Sequence, residues 1–193
     1  NEIFGWDDGR EKVETLGGML EAKGWKQLGS GKYASVYENP KYPYILKLFA
    51  NDPNYLQYFL WARKHQDNPY IPKIKGRFIK LTDKIYAVRM EKLDRIKSAT
   101  QLDPYLPPES RTTAGYANHH SMARSILRKD NLEYIKNNHP DLYKIGRVLS
   151  AWSGGKLDLH AGNIMFRGNQ MVITDPVASL SSFENNLNDV VID

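Results

Sequence analysis

The sequence predicts an α+β fold in two parts: a five-stranded antiparallel sheet with one helix over residues 1–93, and a mainly helical second part, residues 94–193, that contains a short β-hairpin. Three observations carry this. Short apolar runs broken by Gly, Asn and Pro fill residues 25–49 and 73–91, the pattern of strands and turns. Leu142, Ile145, Leu149 and Trp152 recur at helical spacing. Two short apolar runs flank Gly168-Asn169, a residue pair suited to a tight hairpin turn.

In chain order, residues 25–28, 34–37 and 44–49 read as three strands. Asp52 then caps a helix with Pro53 at its first position, and Leu56, Phe59, Leu60 and Arg63 keep helical spacing as far as Gln66. Residues 73–81 and 84–91 alternate as two more strands, with Thr82-Asp83 as their turn. Residues 94–121 are rich in Pro, Ser and Thr, too polar for a strand and too interrupted for more than short helices, so they read as a connection. Pro140 and Asp141 open the last helix, and Gly154-Gly155 stops it.

Composition limits the function. The chain has 193 residues, 41% apolar and 25% charged, the balance of one globular domain or two small lobes. Cysteine is absent, which excludes disulfides, thiolate metal sites and a thiol nucleophile, and fits a reducing cytoplasm. No apolar run approaches the roughly 18 residues of a spanning helix, and the mixed first ten residues do not read as a signal peptide. The chain starts at Asn1 rather than Met, which points to removal of residues at the front. The net charge of +5, from 27 basic and 22 acidic residues, is scattered. That favours a solvated basic surface over a dedicated nucleic-acid face.

The chemistry concentrates around the hairpin. Asn163 precedes its first strand and Asp175 follows its second, so strands about 4.8 Å apart bring an amide oxygen and a carboxylate to one end. Hard oxygen donors so paired suit Mg²⁺, which completes its octahedron with water and phosphate oxygens. Asp158, five residues before Asn163, can accept a hydroxyl proton while phosphate is held nearby. Taken singly, Asp158 is equally a loop carboxylate satisfying backbone N–H groups, and Asp175 a turn former at a strand end.

The string Asp158-Leu-His-Ala-Gly-Asn163 resembles the catalytic loop D-L-x-x-x-N of protein kinases, and its His160 the D-L-H-x-G-N variant of aminoglycoside and choline kinases. Asp175, twelve residues after Asn163, matches the metal-binding Asp of D-F-G. The runs D-L-H-A-G-N-I-M-F and I-T-D-P-V resemble more closely the early serine/threonine protein kinase of short-tailed phages that infect enterobacteria. Residues 28–37 look like the kinase Gly-rich loop, with Gly29, Ser30, Gly31 and Val36 in place and Ala34 where a third Gly is usual. Lys47 resembles the lysine of V-A-I-K, which contacts the α- and β-phosphates. Met90, Glu91, Lys92 and Leu93 resemble the hinge that hydrogen-bonds adenine.

This resemblance implies a two-lobed protein-kinase-like fold, ATP and Mg²⁺ as cofactors, and Asp158 as the catalytic carboxylate. For His160 it leaves open a chemical part or bracing of the loop. It also implies host bacterial proteins as Ser/Thr acceptors, including transcription and RNA-processing machinery, in the infected cytoplasm.

Three departures stand beside it. No Glu occurs between Glu38 and Glu91 to pair with Lys47, and Asp52 is the nearest substitute. Pro176-Val177 replaces Phe-Gly after Asp175. Only 18 residues follow Asp175, too few for an activation segment and substrate-binding helices. Competing readings are therefore a small-molecule phosphotransferase, a nucleotide-binding pseudokinase, and an inhibitor acting through its basic surface. The pair His119-His120 has no second ligand cluster and reads as solvated loop histidines. Ser110, Thr112, Thr113 and Ser121 are loop hydroxyls open to autophosphorylation.

Overall fold

The computed structural model describes residues 6–30, 34–50, 53–82, 85–115, 118–152 and 159–176, with side chains from residue 14 onward apart from residues 53–55 and 152. Gly31, Asp52, Asp83, Gly154, Gly155, Asp158 and Val177 lie outside the described residues.

The expected sheet forms from β1 (Lys26–Ser30), β2 (Ala34–Glu38), β3 (Ile45–Ala50), β4 (Ile74–Thr82) and β5 (Ile85–Met90), in the order β1-β2-β3-β5-β4 with every pair antiparallel. Register decides its two faces. Val36, Lys47 and Val88 lie side by side on one face, and Tyr37, Leu46 and Arg89 on the other. The first face packs on α2 (Pro53–Lys64) through Phe49, Phe59, Val88 and Met90.

The second face is covered by a helix that periodicity does not reveal, α1 (Trp6–Glu21). Leu16 and Leu20 of α1 pack with Trp25 and Leu46 against buried Tyr37, Leu48, Ile85 and Ala87. The Gly17-Gly18 pair hides α1 in the sequence, because each glycine costs a helix interior about 1 kcal/mol relative to Ala. Packing explains the first of them: a Cβ on Gly17 would overlap the Tyr37 hydroxyl.

Among its described residues the second part is mainly helical, as expected, with short 3₁₀ turns and the helices α3 (His119–Ser125), α4 (Leu132–Asn138) and α5 (Pro140–Trp152). Leu142, Ile145 and Leu149 of α5 are buried, as their spacing requires. The connection does contain a strand, contrary to expectation. Residues β6 (Asp94–Arg95) pair with β7 (Ile164–Arg167), which pairs with β8 (Gln170–Ile173). Two exposed polar residues can form such an edge because backbone pairing, not side-chain burial, holds them.

Gly168 closes the β7-β8 hairpin at φ +60°, while Asn169 keeps a negative φ, the signs of a type II′ turn with Gly first. Ser98 and Gln101 form a capping box on the 3₁₀ turn Ala99–Tyr105. His119 and His120 are the first turn of α3, capped by the Asn118 side chain, rather than loop residues. One apolar core runs from Phe49 and Met90 through Leu102, Met122 and Leu142 to Ile164, Phe166 and Ile173, so sheet and helices share an interior. Among the described residues no helix is long and apolar enough to cross a membrane.

Candidate nucleotide and phosphoryl-transfer site

Lys47 sits in the middle of β3, on the face toward α2 and the hairpin. It is a buried lysine, and its ammonium lies near the Asp175 carboxylate, with Nζ 3.7 Å from Oδ2, and over the Phe59 ring, 5.2 Å from the centroid. Burial lowers the pKa of this ammonium from its usual value, and Asp175 only partly offsets that. An anionic ligand would relieve the same desolvation. The sequence asked which residue stands in for a helix Glu. From α2, the aromatic face of Phe59 is beside the ammonium.

Asp175 follows β8, and the residues before it are pinned from several directions. Ile173 N–H donates to the Tyr70 carbonyl at 2.9 Å, and the Tyr58 hydroxyl of α2 donates to the Ile173 carbonyl at 2.5 Å. Thr174 then donates through its N–H (2.9 Å) and its hydroxyl (3.2 Å) to the Asn163 carbonyl. The hairpin therefore has Asn163 opposite Thr174, with Asp175 next along the chain. Asn163 is buried and Asp175 partly exposed.

One tight turn leads into Asn163. His160 Nδ1 accepts from Gly162 N–H at 3.0 Å, and Asn163 N–H donates to the His160 carbonyl at 2.9 Å. His160 thus caps the turn Ala161–Asn163. A Cβ on Gly162 would lie 2.8 Å from His160 Cε1, so the turn requires glycine there. Asp158 precedes this turn and is outside the described residues.

The Gly-rich segment is divided likewise. Gly29 and Ser30 end β1, Ala34 begins β2, and Gly31 is not described. Leu28 and Gly29 together oppose Val36 in a β-bulge, which adds an exposed leucine to this rim. Ile45 shares the Val36 face, and Met165 alternates on β7 with buried Ile164 and Phe166. Sequence reasoning singled out Val36 but not Leu28, Ile45 or Met165. The strand period of two relative to Lys47 and Asn163 is the signal that finds the last two.

At the expected hinge, Met90 is buried, Leu93 half-buried, and Lys92 pairs with Glu38 of β2. Glu91 does more than supply backbone. Arg167 of β7 grips its carboxylate through Nε (2.8 Å) and Nη2 (2.5 Å), while also donating to the Pro69 and Ile71 carbonyls, each at 3.0 Å. Lys73 N–H adds a bond to Glu91 Oε1 at 2.7 Å, and Glu91 N–H returns one to the Lys73 carbonyl at 2.9 Å. Burial would raise the Glu91 pKa, but Arg167 and the Lys73 N–H outweigh it and hold the carboxyl below its usual range. A lone Arg in a short apolar strand is no sequence signal for such a clamp. Among the described residues, the Glu91 carbonyl and the Leu93 N–H make no hydrogen bond.

The remaining expectations fall outside this site. The His119 and His120 rings contact each other, and no group of three His, Cys, Asp or Glu suited to a metal occurs among the described residues. The Thr112 hydroxyl donates to Asp103 at 2.5 Å.

No curated protein matches this sequence. Among solved structures, the chain is similar to the APH(2")-IIa streptomycin–ATP ternary complex (15% identity, TM-score 0.35, covering 86% of this chain and 69% of that one). It is also similar to the Cydia pomonella granulovirus kinase PK-1 (12%, TM-score 0.40, 84% and 57%) and to vaccinia related kinase 3 (18%, TM-score 0.34, 78% and 46%). The chain thus spans about half the length of the latter two. Over residues 9–193 it matches the family described as Bacteriophage T7 protein kinase 0.7, and it belongs to that family.

Proposed function

We propose that this chain is an ATP-dependent protein kinase that transfers the γ-phosphoryl group to Ser or Thr hydroxyls of host bacterial proteins, transcription and RNA-processing machinery among them, in the infected cytoplasm. The observation that carries the reading is the meeting at 3.7 Å of Lys47, from the five-stranded sheet, and Asp175, just past β8 at the open end of the hairpin. The lobes divide between Leu93 and Asp94. Adenine lies between Leu28, Val36 and Ile45 above and Met165 below, its polar edge on the Glu91 carbonyl and the Leu93 N–H. Gly29 to Ala34 cover the phosphates, and Lys47 donates to the α- and β-phosphate oxygens.

Mg²⁺ fits the donors here, since Asn163 offers an amide oxygen and Asp175 a carboxylate. When bound, the ion neutralises charge on the β- and γ-phosphates. Asp158 orients the acceptor hydroxyl and takes its proton as the oxygen bonds to the γ-phosphorus and the bond to the β,γ-bridging oxygen breaks, releasing ADP. His160 keeps the turn between Asp158 and Asn163 in shape. The absent helix Glu does not argue for a pseudokinase, because Phe59 and Asp175 flank the Lys47 ammonium without it.

The test is incubation with γ-labelled ATP, Mg²⁺ and a bacterial lysate, alongside Asp158→Asn and Asp175→Asn, followed by phosphoamino-acid analysis. Label on Ser or Thr of protein bands, lost in both variants, is the expected result. Label confined to small molecules would replace the acceptor class with metabolites, and label nowhere would sink the kinase reading.

A further inference from the structure

Arg95 of β6 stands directly opposite Met165 of β7. Cross-strand partners in an antiparallel pair project to the same face, and on β7 that face is opposite buried Ile164 and Phe166. The Arg95 side chain therefore rises from the floor strand on the cleft side. It reaches the roof: Nη2 donates to the Leu28 carbonyl at 3.2 Å, and a Cβ added to Gly29 would lie 3.2 Å from the same nitrogen. A hydrogen bond and a close approach, at two successive residues, thus place one exposed cation under the first glycine of the Gly-rich segment.

A guanidinium presents five N–H donors in a rigid plane and no acceptor. The Leu28 carbonyl takes one and orients the plane. Among the described residues the Arg95 side chain makes no other hydrogen bond or ion pair, so its remaining donors are open to a ligand with acceptor oxygens.

We infer that Arg95 is a further nucleotide-binding residue, donating to the ribose hydroxyl oxygens of bound ATP. The inference rests on the cleft being the ATP site. With adenine between Leu28 and Met165, the sugar lies beside their neighbours, Gly29 next along β1 on the roof and Arg95 across from Met165 on the floor. Ribose hydroxyls are the acceptors available there. A site that hydrogen-bonds a substrate hydroxyl discriminates against the analogue lacking it, because its donor is then left unpaired. Arg95 consequently makes the protein selective for ribonucleotides.

Equilibrium binding of Mg·ATP, Mg·2′-deoxy-ATP and Mg·3′-deoxy-ATP to the full chain and to Arg95→Ala tests this. The wild-type protein is expected to bind ATP about tenfold more tightly than at least one deoxy analogue. Arg95→Ala is expected to bind all three at the deoxy level with an unchanged thermal midpoint, and Arg95→Lys to recover part of the preference. Discrimination that survives in Arg95→Ala, or wild-type binding of ATP without discrimination, overturns the assignment while leaving the ATP site standing. A wild-type protein that binds none of the three overturns the site and the assignment together.

Discussion

The Tyr58 hydroxyl, on the helix that follows the lysine strand, donates a 2.5 Å hydrogen bond to the carbonyl of Ile173, two residues before Asp175. Both ends of this bond are buried, and they are 115 residues apart in sequence. The helix that lacks an acidic partner for Lys47 is thereby fixed to the segment that carries the site's carboxylate.

Tyr58→Phe removes only that hydroxyl. The expected loss is about 1–2 kcal/mol in urea denaturation, the usual cost of deleting a buried hydrogen bond. Turnover should fall by about tenfold or more as Asp175 becomes less well placed, while ATP binding is unchanged. Because burial raises the phenol pKa above its ordinary value, the donor stays protonated and the effect should be flat across neutral and mildly alkaline pH. Equal activity in the variant would remove Tyr58 from any positioning role.

Lys47→Met separates stability from function. An apolar side chain of similar length in place of a buried charge should leave stability at pH 7 equal or raise it by about 1 kcal/mol, with phosphoryl transfer lost. The sign of the pH dependence follows from the lowered pKa. Between the folded value and the ordinary 10.5, the unfolded chain holds the proton and the folded chain does not, so wild-type stability rises with pH there. The variant's advantage should be full below the folded value and shrink as pH climbs from it toward the ordinary one. Paired urea titrations at neutral and alkaline pH read this directly; a variant markedly less stable at pH 7 would contradict it.

Glu91→Gln weakens the clamp on Arg167. Two charge-assisted bonds join a partly buried pair, so a loss of about 2 kcal/mol at pH 7 is expected. The Glu91 carboxyl is held below its ordinary value of 4.5 in the folded state. Its contribution is therefore complete above that value and disappears as pH falls through the folded one. Wild type and variant should differ at pH 7 and converge as pH falls through the folded value. A difference that persists in strong acid would show that shape, not charge, holds the hinge to the hairpin.

Much of the fold and part of the site are legible in the sequence, and particular residues show why. The β7-β8 hairpin is local: Gly168 supplies the positive φ its turn needs, and alternation of Ile164 and Phe166 with Met165 sets its buried face. Asp52-Pro53 and Pro140-Asp141 announce helices α2 and α5 from adjacent residues alone. Helix α1 escapes because Gly17, which argues against a helix locally, is explained only by the Tyr37 hydroxyl on another element. Strand β6 escapes because an exposed Asp-Arg pair becomes a strand only when β7 offers its edge.

The sequence by itself determined most of the strand and helix pattern, the order Gly29, Lys47, Asn163, Asp175 that points to phosphoryl transfer, and the hairpin that brings Asn163 and Asp175 to one end. Each rests on contacts a few residues long, which periodicity and turn chemistry encode. Tertiary structure alone decided that Lys47 reaches Asp175, that Phe59 of α2 lies beside Lys47 while Tyr58 bonds Ile173, that Arg167 clamps Glu91, and that Arg95 lies under Gly29. Those pairs join distant segments whose approach depends on how the shared core packs sheet against helices, and a single polar residue in an apolar strand carries no local mark of its partner.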